Sequence, residues 1–218
     1  MFHNRRQLIA VSRRPFVAAG GGAAALALDG SAAGHVDSSA TCTATLSTAT
    51  ANDIIVVCVL PNATTVTLIA DTAGLTWNPI SVLGGNNLEV YYAKSSGILT
   101  SDVVTVTTGS VAFTTMHVFA VKGANFTTPL DANGALPATA TTGNLSLTTS
   151  TPDGFLFGTY RFGTEANPTA GAGWNTIQGN NFLLTEYKIV SATQSGTSVP
   201  IGTGDTDQNR GIGHSVRA

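Results

Sequence analysis

From Ser38 onward, apolar and polar residues alternate in short runs broken by Gly, Pro, Asn and Asp, the two-residue period of half-buried strands. Thr41 to Thr48 sets Cys42, Ala44 and Leu46 on one face and threonines on the other. Asp53 to Leu60 (DIIVVCVL) is apolar on both faces, as a central strand covered on each side requires. Thr64 to Ala70 comes next, and Asp71 to Trp77 reads as a turn into a strand. There Gly74 supplies a positive φ and Trp77 a large core anchor. Further strands are expected at Leu88–Lys94, Asp102–Thr107, Ala112–Lys122, Asn144–Thr149, Gly154–Phe162, Trp174–Gln178, Phe182–Val190, Gly196–Ile201 and Gly211–Val216. Between Gly123 and Gly143 lies a looser stretch bearing Pro and Gly.

The pattern predicts an all-β protein, an antiparallel β-sandwich of jelly-roll or Ig-like type with about twelve strands. Helix has almost no place in it, because 24 Gly and abundant Thr suit turns and pleated surfaces. A hydrophobic fraction of 43% in 218 residues is enough for a real core. No stretch reaches the roughly 18–20 unbroken apolar residues of a membrane span. Lys122, Lys188, Pro129 and Pro200 are expected on edge strands, where charge and proline block stray pairing.

Only 10% of the chain is charged, and the charge is unevenly placed. Arg5, Arg6, Arg13 and Arg14 fall in the first fourteen positions, next to Phe16 and ahead of a Gly/Ala tract from Ala18 to Leu28. Residues 1–37 therefore read as an extended basic arm and 38–218 as the sandwich domain. Beyond residue 30, six basic residues stand against eleven acidic ones, so the body lacks the clustered cations that phosphate binding needs. The arm suits an acidic target, whether an anionic lipid surface, nucleic acid or the acidic face of a partner protein; a solvated, nonspecific tail is the other reading. Ser12-Arg13-Arg14-Pro15-Phe16-Val17 also resembles a twin-arginine export signal, with the nearest cleavage pattern at Gly30–Gly34.

Candidate chemistry is sparse. Cys42 and Cys58 are expected on neighbouring strands joined by a turn near Ala49–Asn52. A disulfide between them needs a three-residue loop centred on Thr50; buried, inert thiols or an intermolecular bridge are the other readings. His3, His35, His117 and His214 are scattered, and His117 shares its strand face with Phe113, Thr115, Phe119 and Val121. No metal-ligand spacing appears. Asp205 and Asp207 with Thr203, Thr206 and Asn209 form an oxygen-rich loop without the spacing of a calcium loop. Glu89 and Glu186 lie in expected strands on a solvent face, and with Glu165 they complete the glutamates. No catalytic residue, cofactor site or metal site is assigned. Tyr91, Tyr92, Tyr160, Trp174 and Tyr187 could stack on sugar rings, although their alternation with apolar residues places most of them in the core.

Several segments carry a resemblance: Asn52–Val57, Asp71–Trp77, Leu88–Ala93, Val103–Thr107, Val118–Ala124, Pro129–Gly134 and Asp153–Gly158. Together they resemble β-sandwich modules of tailed-bacteriophage structural proteins and of secreted bacterial surface proteins, across roughly residues 40–190. The Arg-Arg-Pro-Phe arm looks like the N-terminus of virion accessory proteins. The resemblance implies a non-enzymatic virion structural protein (capsid decoration, neck or tail accessory). Its partners would be other virion proteins and copies of itself, with no specific nucleic acid and no cofactor. An exported adhesin or carbohydrate-binding module, secreted or on a bacterial cell surface, is the alternative, and glycan binding remains open.

Overall fold

The computed structural model describes residues 25–84, 88–164, 167–202 and 207–218, and the described residues are all β, without helix. Thirteen strands run in order: β1 (Ala27–Leu46), β2 (Asp53–Pro61), β3 (Val66–Ala70), β4 (Asn78–Leu83), β5 (Leu88–Ser95), β6 (Asp102–Lys122), β7 (Ala138–Ala140), β8 (Leu145–Leu147), β9 (Gly154–Phe162), β10 (Asn175–Asn180), β11 (Leu183–Val190), β12 (Thr197–Val199) and β13 (Gln208–Arg217). A large sheet follows the order β1-β6-β2-β5-β4, with β3 on β6; a second runs β10-β11-β9-β13-β7; β12 and β8 form a small third.

β1 and β6 are too long for one flat layer, and both fold over. Their pairing slips between Val36 and Thr41, opposite Thr114 to Thr107, and such irregularities bend a ribbon. The later half of β1 thus lies back over the earlier half. A Cβ on Gly34 would stand 2.1 Å from the Thr43 carbonyl oxygen, and one on Gly30 would stand 2.3 Å from that of Ser47. Only glycine permits this approach. The folded-over layer packs Cys42, Ala44, Leu46, Val104 and Val106 onto Ile55, Val57, Val59, Met116 and Val118.

The opposite face of the large sheet meets the second sheet. Ile54, Val56, Cys58, Phe119 and Val121 face Phe155, Phe157, Ile177, Ile212 and Val216. Beyond, β8 and β12 cover Leu156, Tyr160, Phe162 and Leu184. Four layers therefore enclose three cores, and β2 is buried along its whole length because it serves two of them.

The two ends of this stack are the same structure twice. In the first half Ile54 lies opposite Lys94 and Val121, and Val56 opposite Tyr92 and Phe119. In the second half Phe155 lies opposite Ile189 and Val216, and Phe157 opposite Tyr187 and His214. Even the bulges coincide: Pro79/Ser81 against β5 and Thr176/Gln178 against β11. Leu46 opposite Asp102 becomes Leu147 opposite Thr197. Each repeat is a jelly roll. With β1 and β6 counted as two segments each, the first repeat has sheets in the order first-eighth-third-sixth-fifth and second-seventh-fourth. The sequence repeats too, as Ala73-Gly74-Leu75-Thr76-Trp77-Asn78-Pro79-Ile80 and Ala170-Gly171-Ala172-Gly173-Trp174-Asn175-Thr176-Ile177. Trp77 packs in the first outer core and Trp174 in the second.

Three expectations from the sequence change. Residues 27–37, read as the end of the arm, are strand, because Ala27 to Val36 pair with β6, with a bulge at Asp29, instead of trailing free. Lys122 and Lys188 lie on the inner strands β6 and β11, so neither guards an edge. Cys42 and Cys58 are not on neighbouring strands, because β6 runs between β1 and β2; no disulfide joins them, and both are buried free thiols in different cores, as the inert-thiol reading has it. The stretch 123–143 holds the connection between the repeats together with β7, the edge strand of the second. Gly74 does take positive φ (73°), and Trp77 donates its indole N–H to Asp71 Oδ2 at 2.7 Å.

Candidate functional site

The densest polar cluster lies where the chain enters its first strand. Pairing of β1 with β6 slips between Leu28 and Gly30, so Asp29 occupies a bulge, which re-aims its side chain. Its Oδ2 accepts from the Ala49 N–H (2.9 Å), the Thr50 N–H (2.8 Å) and the Thr50 hydroxyl (2.9 Å). Its Oδ1 lies 3.2 Å from Lys122 Nζ, and the Asp29 side chain is only 2% exposed against 36% for Lys122. Burial would raise the Asp29 carboxyl, but the bonds from Thr50, Lys122 and Ala49 outweigh it and hold it below its ordinary value.

Asp53, the first residue of β2, completes the cluster. Its Oδ1 lies 3.1 Å from the same Thr50 Oγ1 and shares that hydroxyl's one hydrogen with Asp29, while its Oδ2 is buried and has no hydrogen-bond partner. Burial pushes this carboxyl up to about 6; the Thr50 bond works against that shift, and the Asp29 charge adds to it. Beside the cluster, Leu26 is buried in the central core. A cleft of about 400 Å³ opens there between Ala25, Leu26, Asp153, Val190 and Ala218.

The second repeat reproduces half of this arrangement. Asp131 accepts from the Ser150 and Thr151 N–H groups and from both hydroxyls, at 2.7–3.0 Å. Those bonds overcome burial and keep its carboxyl far below the usual range. Where the first repeat has Asp53 the second has Gly154, and where it has Lys122 the second has Arg217. Arg217 turns instead to the carbonyl and hydroxyl of Thr128.

The remaining candidates scatter. Arg5, Arg6, Arg13, Arg14 and Phe16 lie outside the described residues, as do His3, Glu165, Thr203, Asp205 and Thr206. Of the oxygen-rich loop, Asp207 is described and accepts from the Thr164 hydroxyl at 2.5 Å. Among the described residues no three His, Cys, Asp or Glu side chains could hold a metal ion, and no helix is long and apolar enough to cross a membrane.

His117 is a core residue on the expected face. Its ring nitrogens bond Thr185 Oγ1 (2.9 Å) and Asn180 Oδ1 (2.8 Å) across the central core, and burial lowers it to about 4. Glu89 and Glu186, expected on a solvent face, are both buried. Glu89 accepts from the Val66 N–H and, at 2.5 Å, from the Tyr91 hydroxyl. Glu186 accepts from the Gly171 N–H, and burial pushes its carboxyl up to about 8. The outer layers of the stack cover the sheet faces that alternation alone assigns to water.

The aromatic residues form no shared platform. Tyr160 and Trp174 belong to the second outer core, and Tyr187 stacks on Phe155 at 4.7 Å in the central one. The Asp29–Lys122–Asp53 cluster escaped sequence reading because its members are 24 and 69 residues apart along the chain (29 to 53 and 53 to 122). No family model, curated protein or solved structure matches this chain.

Proposed function

We propose that this chain is a non-enzymatic structural protein of a tailed-bacteriophage virion, joined to its neighbours through its N-terminal arm and its sheet edges. The observation that carries this reading is the position of β1. It is the outer strand of the large sheet and continues directly from the arm-bearing segment. Its 27–36 stretch bears neither Lys nor Pro, so its free edge is open to pairing. The matching edge of the second repeat is the three-residue β7, which follows Pro137. An arm that orders on a neighbour adds contact area at an entropic cost. Jelly rolls serve viral capsids and lectins alike, so the fold supports this reading by analogy, and the basic composition of the arm adds to it.

Deletion of residues 1–24, which stops short of β1, tests the proposal. The truncated protein is expected to keep its circular dichroism and melting temperature but to stop co-sedimenting with virions. Undiminished incorporation would refute the arm's role. One feature favours an exported glycan-binding module as the second reading: a cleft of about 580 Å³ lined by Thr76, Asn78, Lys94, Leu99 and Phe126. Glycan-array binding lost on Phe126→Ala would support it. A signal cut near Ala33 would sever β1, so the N-terminal residue of native material separates the two readings.

A further inference from the structure

We propose that Lys122 Nζ and the side-chain carboxyl of Asp29 condense into an amide, an intramolecular isopeptide bond that fastens β6 to β1. The reacting groups are adjacent: Nζ stands 3.2 Å from Oδ1, and the carbon it would attack, Cγ, is bonded to that oxygen. The other carboxyl oxygen, Oδ2, accepts three hydrogen bonds, two from backbone N–H groups and one from the Thr50 hydroxyl. Donors so fixed stabilise the negative charge that gathers on that oxygen when an amine adds to the carbon. A surface ion pair needs none of this, and it would not bury its carboxylate to 2% exposure.

The step balances without any co-reactant. Lys122 passes a proton to Asp29 Oδ1, and the neutral amine adds to Cγ, with the charge resting on Oδ2. The C–N bond then persists, while the C–Oδ1 bond breaks. Oδ1 leaves as water with two of the three ammonium protons, and the nitrogen keeps the third. Asp53 serves as a positioning residue and proton relay: its proton passes by way of Thr50 Oγ1, which lies against both carboxyls, to Asp29 Oδ2 as the amine adds, and returns when the carbonyl re-forms. Its unpartnered, buried Oδ2 favours the protonated form, because an unpaired buried charge is costly. Half-exposed Lys122 leaves the product water a way out. Intramolecular placement is worth an effective concentration of about 10⁵–10⁸ M, which offsets the tendency of amides to hydrolyse in water.

The second repeat separates this chemistry from mere turn capping. Asp131 keeps the cradle, so the cradle alone holds the Ser150–Thr151 turn. The nucleophile and the relay are absent there, replaced by Arg217 and Gly154. A guanidinium stays protonated and cannot attack a carboxyl. Only the first repeat carries all three groups.

The test is peptide mapping by mass spectrometry of the denatured, full-length protein. The expected result is one branched peptide joining the Asp29 and Lys122 segments, lighter than their sum by one water molecule. Separate, unmodified Asp29 and Lys122 peptides in the wild type would overturn the proposal. Lys122→Arg keeps the charge and is expected to abolish the branched peptide while leaving circular dichroism unchanged. Asp53→Asn is expected to cut its yield at least tenfold; full yield in that variant would remove Asp53 from the mechanism while leaving the bond itself established.

Discussion

The two repeats share the register of their inner strands, β4-β5-β2-β6 and β10-β11-β9-β13, and yet differ sharply in what they bury. Both cap a turn with an aspartate, Asp29 or Asp131, and both anchor an outer core with tryptophan, Trp77 or Trp174. The first adds Asp53 and Lys122 to its cap; the second has Gly154 and Arg217 in their places. The first has a long folded-over layer, the second only β8 and β12. Register is set by backbone pairing and apolar alternation, which tolerate such changes. Polar side chains are free to diverge wherever the core does not need them.

The central core is the first place to break the comparison, because it belongs to both repeats. Phe119 lies against Phe155 and Phe157 at 6.0 and 5.6 Å between ring centroids. Phe119→Ala is expected to cost roughly 3–5 kcal/mol and to leave a single calorimetric transition. Two separated transitions would show that the repeats fold independently.

Next in size are the aspartate caps. Asp131→Ala strips the partners from three backbone N–H groups (Asn133, Ser150 and Thr151) and two hydroxyls, and it is expected to cost about 3 kcal/mol in denaturant unfolding. The Asp131 carboxyl sits below its ordinary value of 3.8. Its contribution is therefore present above that pH and is lost as pH falls toward the folded value. If the isopeptide bond forms, Asp29→Ala is expected to cost more than Asp131→Ala, since it also removes a covalent link. Gly34→Ala follows, at about 1–3 kcal/mol, because its Cβ meets the Thr43 carbonyl; Gly134→Ala, with open space around it, is the control.

Much of this was legible in the chain. Asp53–Leu60 read as a strand covered on both sides because every residue after Asp53 is apolar, and Cys42, Ala44 and Leu46 read as inward because threonines flank them. The fold-over of β1 was not legible. Gly30 and Gly34 are necessary for it, but a glycine in a small-residue stretch looks the same in a loose arm. That is why residues 27–37 were assigned to the arm. The duplication was written in Ala-Gly-x-x-Trp-Asn-x-Ile at 73–80 and 170–177, a signal of only five identities whose meaning rests on the shared bulge that ends each copy. Glu89 and Glu186 misled because strand parity names a face without saying whether another layer covers it.

Titration sharpens the comparison at smaller amplitude. Glu186 and Tyr91 hold matching positions, opposite Thr176 and Pro79, so one repeat buries an acid where the other has a phenol. The Glu186 carboxyl moves from 4.5 when unfolded to about 8 when folded. Its contribution is thus fully present below pH 4.5 and is lost as pH rises to about 8. His117, lowered from 6.5 to about 4, acts oppositely: stability is lost as pH falls through that window. In thermal melts, the wild-type melting temperature minus that of Glu186→Gln is expected to decline steadily between pH 4.5 and 8. A flat difference would mean that Glu186 is hydrated and ionised.

The two thiols give the finest discrimination, because each reports a different core without disturbing it. Burial pushes Cys42 up to about 11 and Cys58 up to about 12, so neither reacts while its core is closed. Cys42 lies in the folded-over layer and Cys58 between the repeats. Labelling with iodoacetamide under native conditions therefore times two separate openings. Cys42 is expected to label first, since only β1, β6 and β3 have to lift from the sheet. Cys58 is expected to wait for the repeats to part, which requires near-global unfolding. Equal rates would mean that the outer layer has no independent motion. Faster labelling of Cys58 would mean that the repeats separate more easily than either opens internally.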